Sequence, residues 1–523
     1  METTTATGKS RTQQSSNGHG TGIETGQLVK HLIGGQWVES AGGTTFTSLN
    51  PATGETLAEL SQGAAEDANR AVEAARKAFD SWRLVPGPRR GEILFRAGQL
   101  LIERKEEIAR LMTQEMGKVL AEARGDVQEA IDMTFYMAGE GRRLGGEVVP
   151  SELPNKWAMT TRDPIGVVAA ITPWNFPVAI PSWKIMPALV AGNTVVIKPA
   201  SDTPLCAIAL VKVLEDAGVP AGVINLVMGP GSTVGTALLE HPDVALISFT
   251  GSTDAGNAVA VEAARRLKRV SLEMGGKNAI IVMEDADLDL ALEGILWSAF
   301  GTSGQRCTAA SRVIVHRAVQ KQLEDRLVAR MEKLRLGNGL ESTTDVGPVI
   351  NKSQQQRIHG MVQEGRKAGT RLVTGGKIAE EGDLAKGAFY TPSLFTDAKW
   401  DDMVAQEEIF GPVTTLIPVD SFEEAIRVNN QTKYGLSSSI YTSNVNRAFQ
   451  AMRDITTGIV YINAGTIGAE IQAPFGGTRG TGNGHREAGQ AGLDTFTEWK
   501  TIYVDYSGKL QRAQIDIAED PAP

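Results

Sequence analysis

The sequence predicts an α/β protein of two domains built on parallel sheets, and three observations lead to this fold class. Residues 64–144 carry apolar side chains at helical spacing, with charged residues on the opposite faces. From residue 163 short β-rich runs alternate with helical stretches, and a second such series follows Asn278. This alternation is typical of right-handed βαβ units whose sheet is covered on both faces. A cleft between two such domains is where ligands tend to bind.

The predicted elements follow in chain order. The first series has strands at PIGVVAAIT, NTVVIKP, INLVMG, ALISFTG and VSLEMGG. The second has strands at NAIIVME, RVIVH, VTTLIPVD, LSSSIYTS and GIVYIN, with helices near 287–300, 318–334, 421–430 and 444–453. Near the end TFTEWKTIYVDYSG alternates like a strand, and WAMTTR (157–162) is predicted to pair with it.

Composition excludes several classes of protein. The net charge is −9 over 523 residues without a basic block, which argues against nucleic acid as a partner. No apolar run is long enough to cross a bilayer, and no metal site is predicted. Two cysteines over this length indicate a reducing compartment, so a cytoplasmic location is expected. Residues 1–27, rich in Ser, Thr, Gly and Gln, are predicted to be a disordered leader.

The two cysteines have different surroundings. Cys206 lies in TPLCAIALVKVLEDAG, a helical pattern in which a small core side chain is expected. Cys307 lies in GTSGQRCTAASR, directly after Arg306 and among small residues. By itself this stretch allows a buried filler or a nucleophile presented on a loop.

Two strand ends of the first series carry features of an anion site. ALISFTG-STDAG runs from a strand into a helix through a turn bracketed by Gly251 and Gly256, and a helix N-terminus offers free N–H groups. Lys198 directly follows a buried-type strand, at the sheet edge where nucleotides dock. A glycine-rich βα turn and a solvated lysine are the ordinary alternatives.

Two polar side chains at turns allow catalytic or structural readings. Asn175 could cap a helix or donate a hydrogen bond to an oxyanion. Glu273 ends a strand before Gly275 and Gly276, where partial enclosure could raise its pKa enough for a base. An ordinary turn carboxylate fits the same position.

Together these motifs resemble the aldehyde dehydrogenase superfamily. The resemblance covers about residues 30–505, and its motifs occur in the family's order and spacing. They are Asn175 in PWNFP, Lys198 in KP, Gly251 to Gly256 in FTGSTDAG, Glu273 in LEMGGKN, Cys307 in GQRC, Glu408 and Phe410 in EEIFGPV, and PFGG (474–477).

The resemblance implies catalytic roles for three residues. Cys307 is the expected nucleophile, which forms a thiohemiacetal and then a thioester. Asn175 and the Cys307 N–H would hold the oxyanion, and Glu273 would activate the hydrolytic water. Because relatives that transfer the acyl group to coenzyme A lack a base at the position of Glu273, a free acid is the expected product.

The resemblance also implies a cofactor site and a substrate tunnel. The expected cofactor residues are Lys198, Ser201, Gly251, Ser252, Gly256, Thr172, Trp174, Glu408 and Phe410. The expected tunnel residues are Trp183, Arg306, Thr308 and Phe475, with Trp174 beside them.

Two departures from the family pattern affect the details. Many NAD-selective members carry a glutamate where this chain has Ser201, so NAD and NADP are both expected to work. The loop INAGTIGAEIQAPFGG resembles that of relatives acting on amino-acid semialdehydes, in which a Gly-Ala pair binds the substrate's carboxylate. A carboxylated semialdehyde is therefore one substrate hypothesis, and a broad range of aldehydes is the other.

The family's architecture implies how the chain is divided. Residues 28–150 and 163–279 would form a Rossmann-type cofactor domain, and 280–482 an α/β catalytic domain. Residues 151–162 and 483–504 would be oligomerisation strands in a small β flap, followed by a tail at 505–523. A homo-oligomer is expected, either a dimer or a dimer of dimers. LQRAQIDIA makes the tail amphipathic, which suggests that it lies over a neighbouring subunit.

Two readings lie outside this enzyme class. A cysteine hydrolase would need a histidine paired with Cys307, and none of the six histidines sits in a suitable motif, although weak esterase activity fits the same thiol. A non-catalytic scaffold is the second, and the intact set of Cys307, Glu273, Asn175 and Glu408 argues against it.

Overall fold

The computed structural model describes residues 27–516, so the predicted leader, apart from residue 27, and the last residues of the tail lie outside the described chain. The strands in chain order are β1 (His31–Ile33), β2 (Gln36–Val38), β3 (Thr45–Leu49), β4 (Thr56–Ser61), β5 (Val148–Val149), β6 (Lys156–Pro164), β7 (Val167–Ile171), β8 (Thr194–Lys198), β9 (Ile224–Leu226), β10 (Val244–Thr250), β11 (Arg269–Glu273), β12 (Asn278–Val282), β13 (Ala310–His316), β14 (Arg371–Thr374), β15 (Ser393–Thr396), β16 (Val413–Val419), β17 (Ser437–Tyr441), β18 (Ile459–Ile462) and β19 (Thr497–Asp505).

The helices connect these strands. They are α1 (Ala65–Trp82), α2 (Gly87–Met116), α3 (Leu120–Glu140), α4 (Ala179–Ala191), α5 (Pro204–Asp216), α6 (Thr236–Glu240), α7 (Thr253–Arg265), α8 (Leu288–Phe300), α9 (Arg317–Met331), α10 (Lys352–Lys367), α11 (Met403–Gln406), α12 (Phe422–Asn430), α13 (Val445–Asp454) and α14 (Gly489–Thr495).

The first sheet has seven strands in the order β11-β10-β7-β8-β9-β1-β2. β7 to β11 pair in parallel, whereas β1 pairs antiparallel with β9 and with β2. Every residue of β7 and of β8 is buried, as expected for parallel strands covered by helices on both faces. Since parallel strands end at the same edge, β7, β8, β10 and β11 bring Ile171, Lys198, Thr250 and Glu273 to one edge of this sheet.

The second sheet has seven strands in the order β14-β15-β16-β13-β12-β17-β18. Its strands pair in parallel except β14, which pairs antiparallel with β15 at one edge. β12 begins at Asn278, so only a short segment after Glu273 joins the two sheets. The predicted α/β class with parallel sheets is confirmed by this topology.

The long helices pack on the first sheet. α2 ends where Gly117 adopts φ 93°, a left-handed conformation that glycine adopts at little cost. α3 returns along α2, and their buried apolar side chains, among them Leu101, Met112, Val127 and Met137, belong to the largest hydrophobic cluster. A buried ion pair between Lys118 and Asp126, 2.8 Å apart, holds the first turns of α3.

A third sheet lies apart from the other two. It has the order β19-β6-β5, and β19 pairs antiparallel with β6 in a register that sets Trp499 opposite Arg162 and Thr501 opposite Thr160. WAMTTR therefore pairs with the C-terminal run, as the sequence predicts. The range 483–504 is not strand throughout, because α14 occupies part of it and β19 begins at Thr497. β5, which lies before residue 151, also belongs to this sheet.

Within residues 27–516 no helix combines the length and the apolar character that a membrane span requires. The same residues contain no cluster of three or more His, Cys, Asp or Glu side chains placed to hold a metal ion.

Candidate active site

Cys307 lies on a strained turn between α8 and β13. α8 ends at Phe300 and passes into a single 3-10 turn at Gly301–Gly304, in which Thr302 and Ser303 have φ of 53° and 55°. Non-glycine residues seldom adopt this left-handed region, and strain of this kind gathers at functional sites. Cys307 lines two different cavities, so the turn places this residue where the two cavities meet.

The thiol is protonated at rest. Burial is the main cause that raises the pKa of Cys307, and the carboxylates of Glu273 and Glu408 raise it further. A thiolate is therefore expected only when a proton acceptor or a positive charge acts on the site.

Asn175 is fixed against the turn that carries Cys307. It lies between β7 and α4, and its side-chain Nδ2 donates to the carbonyl oxygen of Gln305 at 3.0 Å. The N-cap of α4 is Val178, so the capping role that the sequence allowed for Asn175 is wrong. The amide lines the same cavity as Cys307, where it can donate to an oxygen bonded to the attacked carbon.

Glu273 ends β11 inside the protein. Both of its carboxylate oxygens are buried and have no hydrogen-bond partner among the described residues. Burial, followed by the nearby Glu487 carboxylate, raises the pKa of Glu273 well above its usual value. A β-carbon on Gly476 would lie 2.5 Å from Glu273 Oε1, so the space that this carboxyl occupies requires a residue without a side chain.

A larger cavity of about 370 Å³ lies on one side of Cys307. Trp174 and Phe410 meet edge to face in its wall, with ring centroids 5.4 Å apart. Ser252 caps α7, and its hydroxyl accepts from the Ala255 N–H at 3.3 Å. The expected cofactor residues in its lining are Trp174, Gly251, Ser252, Glu408 and Phe410, and the residues that the sequence reading missed include Gln354 and Arg357.

Glu408 occupies a cradle made by two glycines. Its Oε1 accepts the Gly276 N–H at 2.8 Å, and a β-carbon on Gly275 would overlap its carboxylate. Burial raises the pKa of Glu408 to about 7. The glycine pair after Glu273 therefore has a second role, because it makes room for another carboxyl.

The remaining expected cofactor residues lie outside the lining of this cavity. Lys198 Nζ donates to the carbonyl oxygens of Pro199 and Gly229 at 2.8 and 3.1 Å, and Ser201 Oγ donates to Gly229 O at 3.4 Å. Burial lowers the pKa of Lys198 to about 8. The N–H of Thr172 donates to Lys198 O at 3.2 Å, which joins the ends of β7 and β8.

Gly256 is positioned by packing. A β-carbon there would overlap the side chain of Met274, so the glycine lets α7 approach the segment after β11. It is buried and does not line the cavity.

A smaller cavity of about 120 Å³ lies on the other side of Cys307. Trp183 and Phe475 form part of its wall, with ring centroids 4.9 Å apart. The four expected tunnel residues, Trp183, Arg306, Thr308 and Phe475, all line it, together with Ile467, Gly468 and Ala469 of the predicted anchor loop. A cysteine–histidine hydrolase would require a histidine beside the thiol. No histidine is among the described residues that line either cavity.

Arg306 lines this tunnel, and its guanidinium is held in place by neighbouring side chains. Its guanidinium carbon lies 5.3 Å from the Phe176 ring centroid and 5.1 Å from that of Trp297. Its Nε donates to Thr302 Oγ1 at 2.9 Å, and Nη2 lies 3.4 Å from Glu122 Oε1. Stacking and hydrogen bonding fix the plane of the guanidinium.

Comparison with known proteins places this geometry in a family. The sequence profile described as the aldehyde dehydrogenase family matches residues 37–502. This chain belongs to the aldehyde dehydrogenase family.

Two relatives are similar to this chain over nearly its whole length. The α-ketoglutaric semialdehyde dehydrogenase of Bacillus subtilis is 43% identical over 475 residues, which are 91% of this chain and 97% of the relative. The α-ketoglutarate semialdehyde dehydrogenase of Haloferax volcanii is 42% identical over 91% of this chain and 99% of the relative.

A solved structure agrees with the fold. The betaine aldehyde dehydrogenase of Staphylococcus aureus, as a point variant in complex with NAD+, is 35% identical and superposes with a TM-score of 0.91. The match covers 94% of this chain and 99% of that one. As an aldehyde dehydrogenase, the protein oxidises aldehydes to acids, and the two-sided placement of Cys307 suits that reaction.

The sequence reading of this aldehyde dehydrogenase missed Glu129. This residue of α3 lines the tunnel beside Arg306, and burial, followed by the Asp126 carboxylate, raises its pKa to about 8. Charged residues on a helix usually face solvent, so sequence gave little reason to single it out. Its local sequence does not distinguish it from the other acidic residues of this helix, such as Glu122 and Asp132.

Proposed function

We propose that this aldehyde dehydrogenase oxidises an aldehyde with a carboxylate at its distal end, and that NAD and NADP both serve as cofactor. Cys307 is the nucleophile, Asn175 the oxyanion donor and Glu273 the base. The observation that carries the substrate class is the guanidinium of Arg306 in a tunnel that also contains Gly468 and Ala469.

The residues act in two stages. The thiol of Cys307 passes its proton to solvent water and its sulfur bonds the aldehyde carbon, while Asn175 Nδ2 and the Cys307 N–H donate to the oxygen that becomes negative. A bound NAD or NADP supplies the acceptor for the hydride. Glu273 then takes a proton from water, the hydroxide displaces sulfur from the thioester, and the free acid leaves.

The larger cavity suits a dinucleotide cofactor. Ser252 and the first N–H groups of α7 would bind the pyrophosphate, and Glu408 would bind ribose hydroxyls; the support is that Ser252 caps α7 and that both residues line this cavity. Lys198 is a buried cation whose side-chain partners are two backbone carbonyls. Ser201 carries no charge, so its side chain does not repel the additional phosphate of NADP, and the Asp202 carboxylate that acts on Lys198 is the negative charge nearby.

Glu129 and Arg306 of the tunnel lining can both donate hydrogen bonds to an anionic substrate. At neutral pH most Glu129 side chains are protonated, because the pKa is raised to about 8. A protonated carboxyl can donate a hydrogen bond, and Arg306 adds a cation. Hydrogen bonds to charged groups contribute about 1.5–3 kcal/mol, enough for roughly a tenfold preference.

The test compares hexanal with the six-carbon semialdehyde that ends in a carboxylate, each with NAD and with NADP. We expect kcat/KM at pH 7 to favour the carboxylate about tenfold or more. As pH rises through 8, Glu129 ionises and repels the substrate, so the preference falls. In Glu129→Gln the preference should stay flat over this range, because the amide does not titrate. Ionisations that change kcat/KM equally for both aldehydes cancel in the ratio of the two values.

A preference for hexanal at every pH would contradict the carboxylate assignment and favour a broad aldehyde range. Loss of turnover with both aldehydes in Cys307→Ala is expected in either case. A Cys307→Ala variant that still oxidises aldehydes would contradict the proposed nucleophile.

We also propose a homo-oligomer, a dimer or a dimer of dimers, that works in the cytoplasm. The support for assembly is the third sheet, which exposes large side chains: Trp157 is 53%, Trp499 56% and Tyr503 64% exposed. Exposed aromatic residues concentrated on one element are typical of a contact surface between proteins.

A further inference from the structure

The turn before the nucleophile is held in a conformation that its sequence disfavours. Thr302, Ser303 and Gly304 adopt φ of 53°, 55° and 68° in succession. Glycine adopts this region readily, but a β-branched threonine does so only where its surroundings compensate. Cys307 follows closely, so the source of that compensation bears on where the thiol points.

Glu122 makes the contacts that stabilise Thr302. Its side chain, 4% exposed, lies in the first turn of α3. Both carboxylate oxygens accept the Thr302 N–H at 2.9 Å, and Oε2 also accepts from the Thr302 hydroxyl at 3.3 Å. Among the described residues no other acceptor is bonded to this N–H.

The same carboxylate reaches the residue beside the nucleophile. Glu122 Oε1 faces Arg306 Nη2 at 3.4 Å, and Arg306 Nε in turn donates to Thr302 Oγ1 at 2.9 Å. A β-carbon on Gly301 would lie 3.0 Å from Glu122 Oε1, so the turn fits closely around the carboxylate. Glu122, Thr302 and Arg306 therefore form a closed triangle of hydrogen bonds.

Glu122 stands on a helix that also fixes the opposite side of the site. Asp126, one helical turn further along α3, accepts the Ala179 N–H at 2.8 Å at the start of α4. The segment before α4 carries Asn175, whose amide donates to Gln305 O at 3.0 Å. One helix therefore positions the thiol-bearing turn and the segment that holds the oxyanion donor.

Other contacts hold neighbouring parts of the turn. Ser303 Oγ donates to Gly347 O at 2.7 Å, and Gln305 Oε1 accepts the Ile350 N–H at 2.9 Å. At Thr302 itself, the carbonyl oxygen accepts from the Gln305 N–H at 3.0 Å and from Gln305 Nε2 at 3.1 Å, whereas Glu122 accepts the Thr302 N–H.

We propose that Glu122 is a positioning residue of the nucleophile. Its carboxylate stabilises the left-handed conformation of Thr302 and orients Arg306, and so sets the direction of the Cys307 thiol between the two cavities. The inference rests on Cys307 being the nucleophile of the proposed function.

The test measures Cys307 without any aldehyde. Iodoacetamide is uncharged and alkylates the thiol, mass spectrometry assigns the site, and Cys206 is buried. In Glu122→Ala we expect the alkylation rate of Cys307 and kcat with hexanal to fall about tenfold or more, with KM for NAD unchanged within about twofold. In Glu122→Gln, which keeps one acceptor oxygen, we expect an intermediate loss.

A matched control separates position from stability. Glu115 is another buried carboxylate that accepts two backbone N–H groups, those of Leu205 and Cys206, both at 2.9 Å. Glu115→Gln is expected to lower Tm as Glu122→Gln does and to leave the alkylation rate of Cys307 at its native value. Equal loss of alkylation in the two variants would mean that Glu122 acts only through stability, and would overturn the proposal.

A second comparison uses the backbone itself. Thr302→Gly removes the penalty for the left-handed conformation, so replacing Glu122 should then matter less. Glu122→Gln is expected to lower the alkylation rate of Cys307 by a certain factor in the native background. In the Thr302→Gly background we expect that factor to be at least about threefold smaller. The hydroxyl bond to Glu122 is also absent in this background, so the smaller loss reports the relieved backbone together with that missing bond.

Two outcomes overturn the inference: a native alkylation rate in Glu122→Gln, or the same fold-loss in both backgrounds. Either outcome is distinguishable from failure of the proposed function. That failure would appear as aldehyde oxidation retained in Cys307→Ala, which would show that Cys307 is not the nucleophile. If Glu122→Ala does not fold, the glutamine variants carry the whole comparison.

Discussion

At the scale of single residues, the two carboxyls that face Cys307 have different environments. Glu273 has no hydrogen-bond partner among the described residues, and burial favours its protonated form. Glu408 accepts a backbone N–H, which partly offsets the effect of burial, and its pKa is raised to about 7. The unpartnered group is the stronger base once ionised, which suits it to take a proton from water.

Glu273→Gln should separate the two stages of the reaction. The amide cannot accept the proton of water, so the thioester forms and then accumulates. We expect one burst of reduced cofactor per active site, followed by a steady rate lower by about a hundredfold or more. Stopped-flow absorbance of the reduced cofactor measures both phases.

The control for this variant is Glu408→Gln, because Glu408 lines the larger cavity and is proposed to bind the cofactor. It should weaken cofactor binding and leave the burst and the steady rate in their native proportion. Full steady turnover in Glu273→Gln would mean that another group activates water.

Ser201→Glu should change the choice of cofactor. A carboxylate at this position would pair with Lys198 and repel the additional phosphate of NADP. Because like charges brought together are unfavourable, KM for NADP should rise about tenfold or more while KM for NAD changes little. Steady-state kinetics with both cofactors measure the ratio.

Ser201→Gln is the neutral variant of the same size and should keep the native NADP/NAD ratio. If Ser201→Glu keeps it as well, charge at this position does not set cofactor preference.

At the scale of elements, strand ends and helix starts assemble the site. β7, β8, β10 and β11 run parallel, so residues far apart in sequence meet at one edge. α3 contributes Glu122 and Glu129 from one helix. Met274, just after β11, donates its N–H to Thr481 O at 2.7 Å, which ties the segment after PFGG to the end of that strand.

The tail after β19 gives a prediction at this scale. Leu510 is 85% and Ile515 67% exposed, and Gln511 Nε2 donates to Pro154 O at 2.9 Å. Exposed apolar side chains on such a segment fit a contact with a neighbouring subunit. A chain truncated after Val504 is expected to show a smaller assembly or a lower Tm, measured by light scattering and thermal unfolding.

A chain truncated after Tyr506 keeps all of β19 and serves as control for damage to the strand. If the two truncated chains match the full chain in kinetics, Tm and assembly, the tail has no contact of consequence.

At the scale of the whole molecule, the proposed active site lies where two sheets meet at a short connection. β11 ends at Glu273 and β12 begins at Asn278. Asn278 Nδ2 donates to Ala309 O at 3.0 Å, so the first residue of the second sheet also binds the segment after the nucleophile. The thiol thus lies where the two sheets join, with the larger cavity on one side and the tunnel on the other.

Sequence by itself determined the α/β class and five strands of each sheet, because apolar runs alternating with helical periods leave few other arrangements, whereas the edge strands β1 and β2 and the pair β14 and β15 were not predicted. The family resemblance, carried by Cys307, Glu273 and Asn175, was readable for the same reason, since its motifs are local. Only the tertiary structure decided the parts that depend on distant neighbours. Glu122 and Glu129 read as ordinary charges on a helix until packing places them against the nucleophile turn and in the tunnel. Their burial, and the pKa of about 8 for Glu129, come from removing water by contacts across the fold, which no short stretch of sequence encodes.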